Sequence, residues 1–478
     1  MRVAFHTLGC KVNQYETEAI REAFVSHGAV SVDEDEPADV YIINTCTVTH
    51  IADRKSRQFI RRAKKVNPDA LVVVTGCYAQ VEPEDVASMP EVDLVVGNGQ
   101  KSRIYDLVHE RLAADAAGEP AEIFVDARYE MTEYEDMGLV SSAESGMTRA
   151  YIKIQEGCDR FCAYCLIPYA RGPVRSRPPE EVVREAAMLR DAGFREMVLT
   201  GINTALYGTE PGFRYEIHGE DGSVLPGLEH IAAMTPDERS RIAPIEILLA
   251  RLDAMEGSFR IRLSSLEPTV VDRNHVENII RYKRLCHHLH LSVQNGSNKI
   301  LKSMNRHYTR EEYLDIVRAV REYDPVFGIT TDIIVGFPGE TDDDFADTMD
   351  IAERCEFGKI HVFRYSPRRG TAGASLPDAV PDQDKSVRSF ELEKASYRIA
   401  DAFREKNVGS EHTVLLEERR GDYLTGYTGN YIRAYLYAED RSQDNARLGE
   451  FCRVQLIETF LDGCKAVLTD QTEGQLQQ

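Results

Sequence analysis

Glu156-Gly-Cys-Asp-Arg-Phe-Cys-Ala-Tyr-Cys165 puts three cysteines, Cys158, Cys162 and Cys165, into one short loop with the spacing C-x3-C-x2-C. Three thiolates from such a loop hold three corners of a four-iron cluster and leave the fourth iron open to a substrate or cofactor. Structural zinc takes four ligands from paired C-x2-C units, and no Cys or His pair stands close downstream to complete one. Disulfides fit worse. Ten cysteines in 478 residues are a sparse supply, and the N-terminal Met-Arg-Val-Ala-Phe-His enters a strand without a secretory leader. The expected setting is a reducing cytoplasm.

The loop follows a strand signal at 151–155 and precedes an amphipathic helical stretch at 179–192. Further strand signals at 197–201, 259–264, 288–293, 328–335 and 359–363 predict a partial barrel of about six β/α units across residues 144–383, with its site at the carboxyl ends of the strands. The polar, Gly- and Pro-punctuated stretch 209–243 reads as a surface insertion.

Residues 1–125 also alternate apolar strands with helices, which predicts a parallel, Rossmann-like α/β domain. Strands are expected at 3–7, 40–44, 71–75 and 94–97, with a helix at 15–26. Cysteines close the first three units: Cys10, Cys46 and Cys77. Buried loop thiols are the plain alternative. Recurrence at the carboxyl ends of three strands, where open sheets collect ligands, favours a second three-cysteine site. Gly9 and Gly76 would let the backbone approach closely there. Cys286, Cys355, Cys452 and Cys464 read as ordinary thiols.

Residues 113–147 read as a linker, 404–472 as a small all-β barrel and 473–478 as a frayed tail. No apolar run is long enough to span a bilayer, so no membrane partner is expected. The net charge of −22 argues against a nucleic-acid partner, yet local basic patches remain open. Candidates are Arg54, Lys55, Arg57, Arg61, Arg62, Lys64 and Lys65 on one helical stretch, and Arg171, Arg175 and Arg177 behind the cysteine loop. A solvated helix face explains the first run equally well.

With both cysteine sets located, the chain resembles the methylthiotransferases of the radical S-adenosylmethionine (SAM) superfamily from end to end. The stretches His6-Thr-Leu-Gly-Cys-Lys-Val-Asn-Gln-Tyr15 and Gly426-Tyr-Thr-Gly-Asn-Tyr-Ile432 look most like the branch acting on N6-threonylcarbamoyladenosine in tRNA. The resemblance implies an N-terminal α/β domain, a radical SAM barrel and a C-terminal RNA-binding TRAM barrel. It implies two four-iron clusters, an auxiliary one on Cys10, Cys46 and Cys77 and a SAM-binding one on Cys158, Cys162 and Cys165. SAM would serve as radical source and as methyl donor.

SAM contacts are implied near Thr200, Gly201 and Asn203, near Arg262, Ser264, Ser265 and Glu267, and near Gln294 and Ser297. Asp332 to Gly336 and Phe363 to Ser366, including Tyr365, complete that set. Implied partners are the tRNA anticodon stem-loop, an external electron donor and a sulfur source, acting on a monomer. Isopentenyladenosine or a ribosomal protein is the alternative substrate within the family, and a metal-stabilised RNA-binding protein without catalysis is the alternative of another class. Residues 404–470 hold nine Lys and Arg against twelve Asp and Glu. RNA contact there would rest on Arg433 and on stacking by Tyr427 and Tyr431.

Overall fold

The computed structural model describes residues 1–47, 50–114, 119–141, 147–268, 272–438 and 447–469. The expected tail at 473–478 lies outside the described residues, as do residues 144 and 472 at two of the expected domain boundaries.

Six parallel strands form the N-terminal sheet: β1 (Arg2–Thr7), β2 (Val30–Val32), β3 (Val40–Thr45), β4 (Leu71–Gly76), β5 (Leu94–Val96) and β6 (Glu122–Phe124), in the order β2-β1-β3-β4-β5-β6. Every residue of β3 and β4 is buried, because helices cover both faces and each face carries its own apolar cluster. The chain moves outward from β1 in opposite directions to reach β2 and β3. The crevice at the carboxyl ends of β1 and β3 is therefore the topological switch point, where open sheets bind ligands.

Helix α1 (Lys11–Ser26) begins four residues before the signal at 15, because β1 turns at once through Cys10, its cap residue. Helix α2 (His50–Val66) carries the basic run and connects β3 to β4. The expected linker is a packed strap in its described part. It contributes β6, paired with β5, and buries Met131 and Val140.

The central domain is built from β7 (Arg149–Lys153), the short pair β8 (Gln155–Glu156) and β9 (Arg175–Ser176), β10 (Glu196–Thr200), β11 (Arg260–Leu263), β12 (Ser265–Leu266), β13 (His288–Leu291), β14 (Gly328–Val335) and β15 (Lys359–Arg364). Strands β7, β10 and β11 pair in parallel, as do β12 to β15. Only Ser264 separates β11 from β12, so the two sheets form one wall, a partial six-unit barrel open between β7 and β15.

Strand alternation sorts its residues by face. Ala150, Ile152, Met197, Leu199, Ile261, Leu263, Leu289, Leu291, Ile329 and Ile333 join the main apolar core. The alternate positions are polar and bond one another across the lumen. Arg262 donates to Glu196, His288 to or from Thr330, and His290 pairs with Asp332. The insertion at 209–243 is ordered against this domain, with Leu228 and Ile231 packed on Ile247 and Ala250 of the helix Pro244–Asp253.

Strands β16 (Glu411–Arg420), β17 (Tyr423–Thr428), β18 (Arg433–Tyr437), β19 (Phe451–Phe460) and β20 (Gly463–Leu468) close into a barrel in the order β16-β17-β18-β20-β19. This small barrel plugs the amino-terminal mouth of the central one. Arg260 donates to Tyr427 O (2.8 Å), Arg262 to Gly429 O (3.2 Å), and Asn430 Nδ2 to Val326 O (3.0 Å). Among the described residues no helix is long and apolar enough to cross a membrane.

Candidate active site

The N-terminal cysteines come together because their loops are tied at backbone level. A Cβ on Gly9 would sit 2.9 Å from Cys46 Cβ, and one on Gly76 would sit 2.4 Å from Thr45 O. Both glycines have φ near +100°, which side chains rarely adopt. Asn13 fastens the group from α1. Its Nδ2 donates to Leu8 O (2.7 Å) and Thr45 O (3.0 Å), and its Oδ1 stands 3.8 Å from Cys10 Sγ. Asn98 Nδ2 lies 4.0 Å from Cys77 Sγ. Cys46 and Cys77 are buried and Cys10 is exposed.

Buried positive charge stands beside this triad. Glu16 of α1 is fully buried and pairs with Arg171 and Lys101, with Lys153 at 3.6 Å. Burial alone would raise its carboxyl, but Arg171, then Lys101 and Lys153, hold it well below the ordinary 4.5. Glu156 joins the group through Lys153 (3.3 Å) and Arg175 (3.3 Å). Arg171 and Lys101 of this group stand next to Cys10 and Cys77, and burial raises a third carboxyl of the network, Glu135, to about 7. Arg171, Arg175 and Arg177 therefore do not form a surface patch. All three are buried, and Arg171 and Arg177 tie the central domain to α1 through Glu16 and through Glu185 with Tyr15.

The second triad rests on its own loop. Asn305 Nδ2 donates to Arg160 O and Phe161 O (both 3.1 Å), and Ala163 N donates to Met304 O (2.9 Å). Arg306 directs Nη1 at Cys162 Sγ (3.3 Å) and pairs with Glu267 (2.7 Å), which accepts from Asn203 Nδ2 (2.7 Å). Burial pushes the Cys158 thiol up to about 12, and it raises that of Cys165 too. A thiol in such a place ionises for a metal rather than for water.

One cavity of about 210 Å³ touches both halves. Thr47, the residue after Cys46, faces Tyr164, Cys165 and Leu166 across it, and Gln294, Asp332, Phe363, Tyr365 and Ser366 complete the wall. Arg368 bolts the halves together through Thr47 (2.7 Å) and Asp53 (2.7 Å).

The structure gathers most implied contacts here and disperses others. Gln294, Asp332, Phe363 and Tyr365 line the cavity, and Asn203 and Glu267 adjoin Cys162 through Arg306. Thr200 lies buried behind them, and Gly201 is half-buried against Gln155. Ser265 belongs to β12 beside them. Arg262 is spent on Glu196 and the C-terminal barrel, and Ser297 caps the helix Asn298–Ser303 and bonds Asp344 (2.6 Å). The sequence reading missed Arg306, Thr47 and Glu16. Arg171, two turns after Cys165, was legible as a charge but not as a buried one.

The donor sets fit metal clusters with an open corner. Each offers three thiols, one fewer than structural zinc takes and the number that leaves one iron of a four-iron cluster open. Cationic side chains stand against both sets. Ser264 Oγ and Tyr365 Oη are buried without hydrogen-bond partners among the described residues, so polar groups are left for a ligand.

Residues 2–97 match the Uncharacterized protein family UPF0004, and residues 152–352 match the Radical SAM superfamily. The threonylcarbamoyladenosine tRNA methylthiotransferase MtaB of Bacillus subtilis is 38% identical over 90% of this chain and 89% of its own. The tRNA-2-methylthio-N(6)-dimethylallyladenosine synthase of Pelotomaculum thermopropionicum is 35% identical over 86% and 85%. Among solved structures, the radical SAM methyltransferase TsrM from Kitasatospora setae shares the fold at a TM-score of 0.52 and 16% identity, over 78% of this chain and 77% of that one. On relatives aligned along nearly the whole chain, this protein belongs to the methylthiotransferase family of the radical SAM superfamily.

Proposed function

We propose that this protein adds a methylthio group to C2 of N6-threonylcarbamoyladenosine at position 37 of tRNA, in the cytosol. The observation that carries the reading is the single cavity between Thr47, at the N-terminal triad, and Cys165, at the second triad. The MtaB relatives, at 33–38% identity, name the nucleoside.

Cys158, Cys162 and Cys165 would hold the four-iron cluster that takes SAM, and Cys10, Cys46 and Cys77 the second. Bound there, the two clusters and SAM would supply one-electron cleavage of SAM and a sulfur to transfer, reactivity that no side chain has towards an aromatic C–H bond. Arg306 sets Cys162 and Glu267 in register, and Asn203 fixes the far oxygen of that carboxylate. Ser264 and Tyr365 offer free hydroxyls to SAM. Tyr164, Leu166 and Phe363 give the cavity apolar walls that exclude water from the reacting base.

The base has to leave its stack to enter, which an unpaired anticodon loop permits cheaply. Arg54, Lys55 and Arg61 of α2 are exposed beside the Cys46 loop and would hold phosphates at the rim. Tyr427, Tyr431 and Arg433 are not free stacking residues. Tyr431 stacks on His288 (4.5 Å) and Tyr427 (4.7 Å), and Arg433 pairs with Glu418 (3.0 Å) and Asp462 (3.2 Å).

The test is nucleoside analysis of tRNA from cells lacking this protein. Loss of the methylthio derivative of threonylcarbamoyladenosine is expected. Loss of a methylthio isopentenyl nucleoside in its place would overturn the substrate.

A further inference from the structure

Lys11 follows Cys10 directly and opens α1. One turn later, Tyr15 packs with Ala19, Val140 and Tyr151 against the open side of the central barrel, so Lys11 projects on that same face. Its neighbours in charge are Arg149, Arg262 and Glu196 of the central barrel and Tyr431 of the C-terminal one. The ammonium is half-buried, and among the described residues it makes no ion pair and no hydrogen bond.

The carboxylates nearby are already engaged. Glu196 serves Arg260 and Arg262 at 2.6 and 2.8 Å, Glu417 serves Arg149 at 3.2 Å, and Asp332 takes His290 and Ser292, both at 3.0 Å. With Lys11, the three arginines Arg149, Arg260 and Arg262 set four cationic side chains against Glu196 and Glu417, so the ion pairs of the lumen leave Lys11 without a carboxylate of its own.

Adenine geometry says which anion. C2 and the N6 substituent lie on the same edge of the base. A base whose C2 faces the Cys10 triad lays its N6 side chain along that triad, where the next residue is Lys11. We infer that Lys11 determines substrate specificity by pairing with the carboxylate carried on the N6 side chain of the target adenosine. This rests on the substrate proposed above. A dimethylallyl group carries no charge and would leave the ammonium unpaired, at a cost that turns the pocket against it.

The test uses the cluster-loaded protein and three anticodon stem-loop RNAs, with threonylcarbamoyladenosine, with its carboxamide analogue, and with unmodified adenosine. Wild type should bind the acid roughly ten- to hundredfold more tightly than the amide, the range of one charge-assisted bond. Lys11→Gln should bring the acid down to the affinity of the amide, and Lys11→Arg should keep most of the preference. Iron content and SAM affinity should not change.

Equal binding of acid and amide by wild type overturns the inference without any variant. So does a Lys11→Gln protein that still prefers the acid, or one whose SAM affinity falls while RNA preference stays, since that would give Lys11 to the carboxylate of SAM. Failure of the substrate reading looks different: wild type would then methylthiolate neither modified RNA.

Discussion

The two cysteine triads reach similar ends by opposite routes. Cys158, Cys162 and Cys165 come from one loop held by the end of the neighbouring helix, whereas Cys10, Cys46 and Cys77 come from three strands and meet only when the sheet is paired. A local triad needs local order. A distributed one needs the register of β1, β3 and β4, the close approach at Gly9 and Gly76, and a buried ion network to hold α1. Their electrostatics differ in the same sense. One arginine, balanced by Glu267, faces Cys162, while the N-terminal triad adjoins the buried Arg171 and Lys101, which share Glu16. The distributed site should therefore fail first when the fold is weakened.

Glu16→Ala is the strongest way to separate them. It strands Arg171 and Lys101 in the interior and leaves Lys153 to Glu156 alone, and loss of one partner from such a group costs about 3–5 kcal/mol. Urea denaturation should show that loss, and reconstitution should drop from about eight irons per chain to about four. Retention of both clusters would mean that the ion network is incidental to the N-terminal triad.

Gly76→Ala comes next. Its φ of +94° and the 2.4 Å approach to Thr45 O leave no room for a methyl group, a strain of about 1–3 kcal/mol centred between Cys46 and Cys77. Iron should again be lost from one site only, with SAM cleavage intact. Equal loss from both sites would remove the distinction between local and distributed triads.

The domain interface should also show two pH limbs of opposite sign. Glu16 is held below its ordinary 4.5, so the stability it provides is present above that pH and lost as pH falls below it. Burial raises Glu185 to about 7 despite Arg177, so its share of stability declines as pH rises from 4.5 to about 7. Burial raises Glu135 to about 7 as well, so Glu185→Gln should shallow the upper limb without removing it and leave the lower one unchanged, measured as urea midpoints across pH.

The smallest effect is expected at the rim. Arg54→Glu with Arg61→Glu should weaken stem-loop binding severalfold and lower the salt slope by about 1 for each phosphate no longer neutralised. An unchanged slope would take α2 out of the RNA interface.

Much of this was legible in the sequence, for reasons that differ along the chain. The strands at 40–44 and 71–75 were visible because both faces are buried and their residues are uniformly apolar. Cys10, Cys46 and Cys77 were visible because each follows such a strand. Strand β6 escaped because Glu122 and Ile123 sit exposed on an edge, where no apolar pattern is required. Arg171, Arg175 and Arg177 look alike as residues of a basic patch, and only their pairing with Glu16, far away in sequence, and with the nearer Glu156 and Glu185 makes them interior. Tyr427 and Tyr431 look like stacking residues for a similar reason: their true partners, His288 and Arg433, come from other strands.

The division of labour between the triads is the central claim, and Cys46→Ala tests it most directly. Reconstituted anaerobically and given SAM and a reductant, this variant should keep about four irons and still release 5′-deoxyadenosine, while forming no methylthio nucleoside on the stem-loop. Loss of SAM cleavage together with the N-terminal cluster, or a methylthio product made without it, would contradict the account.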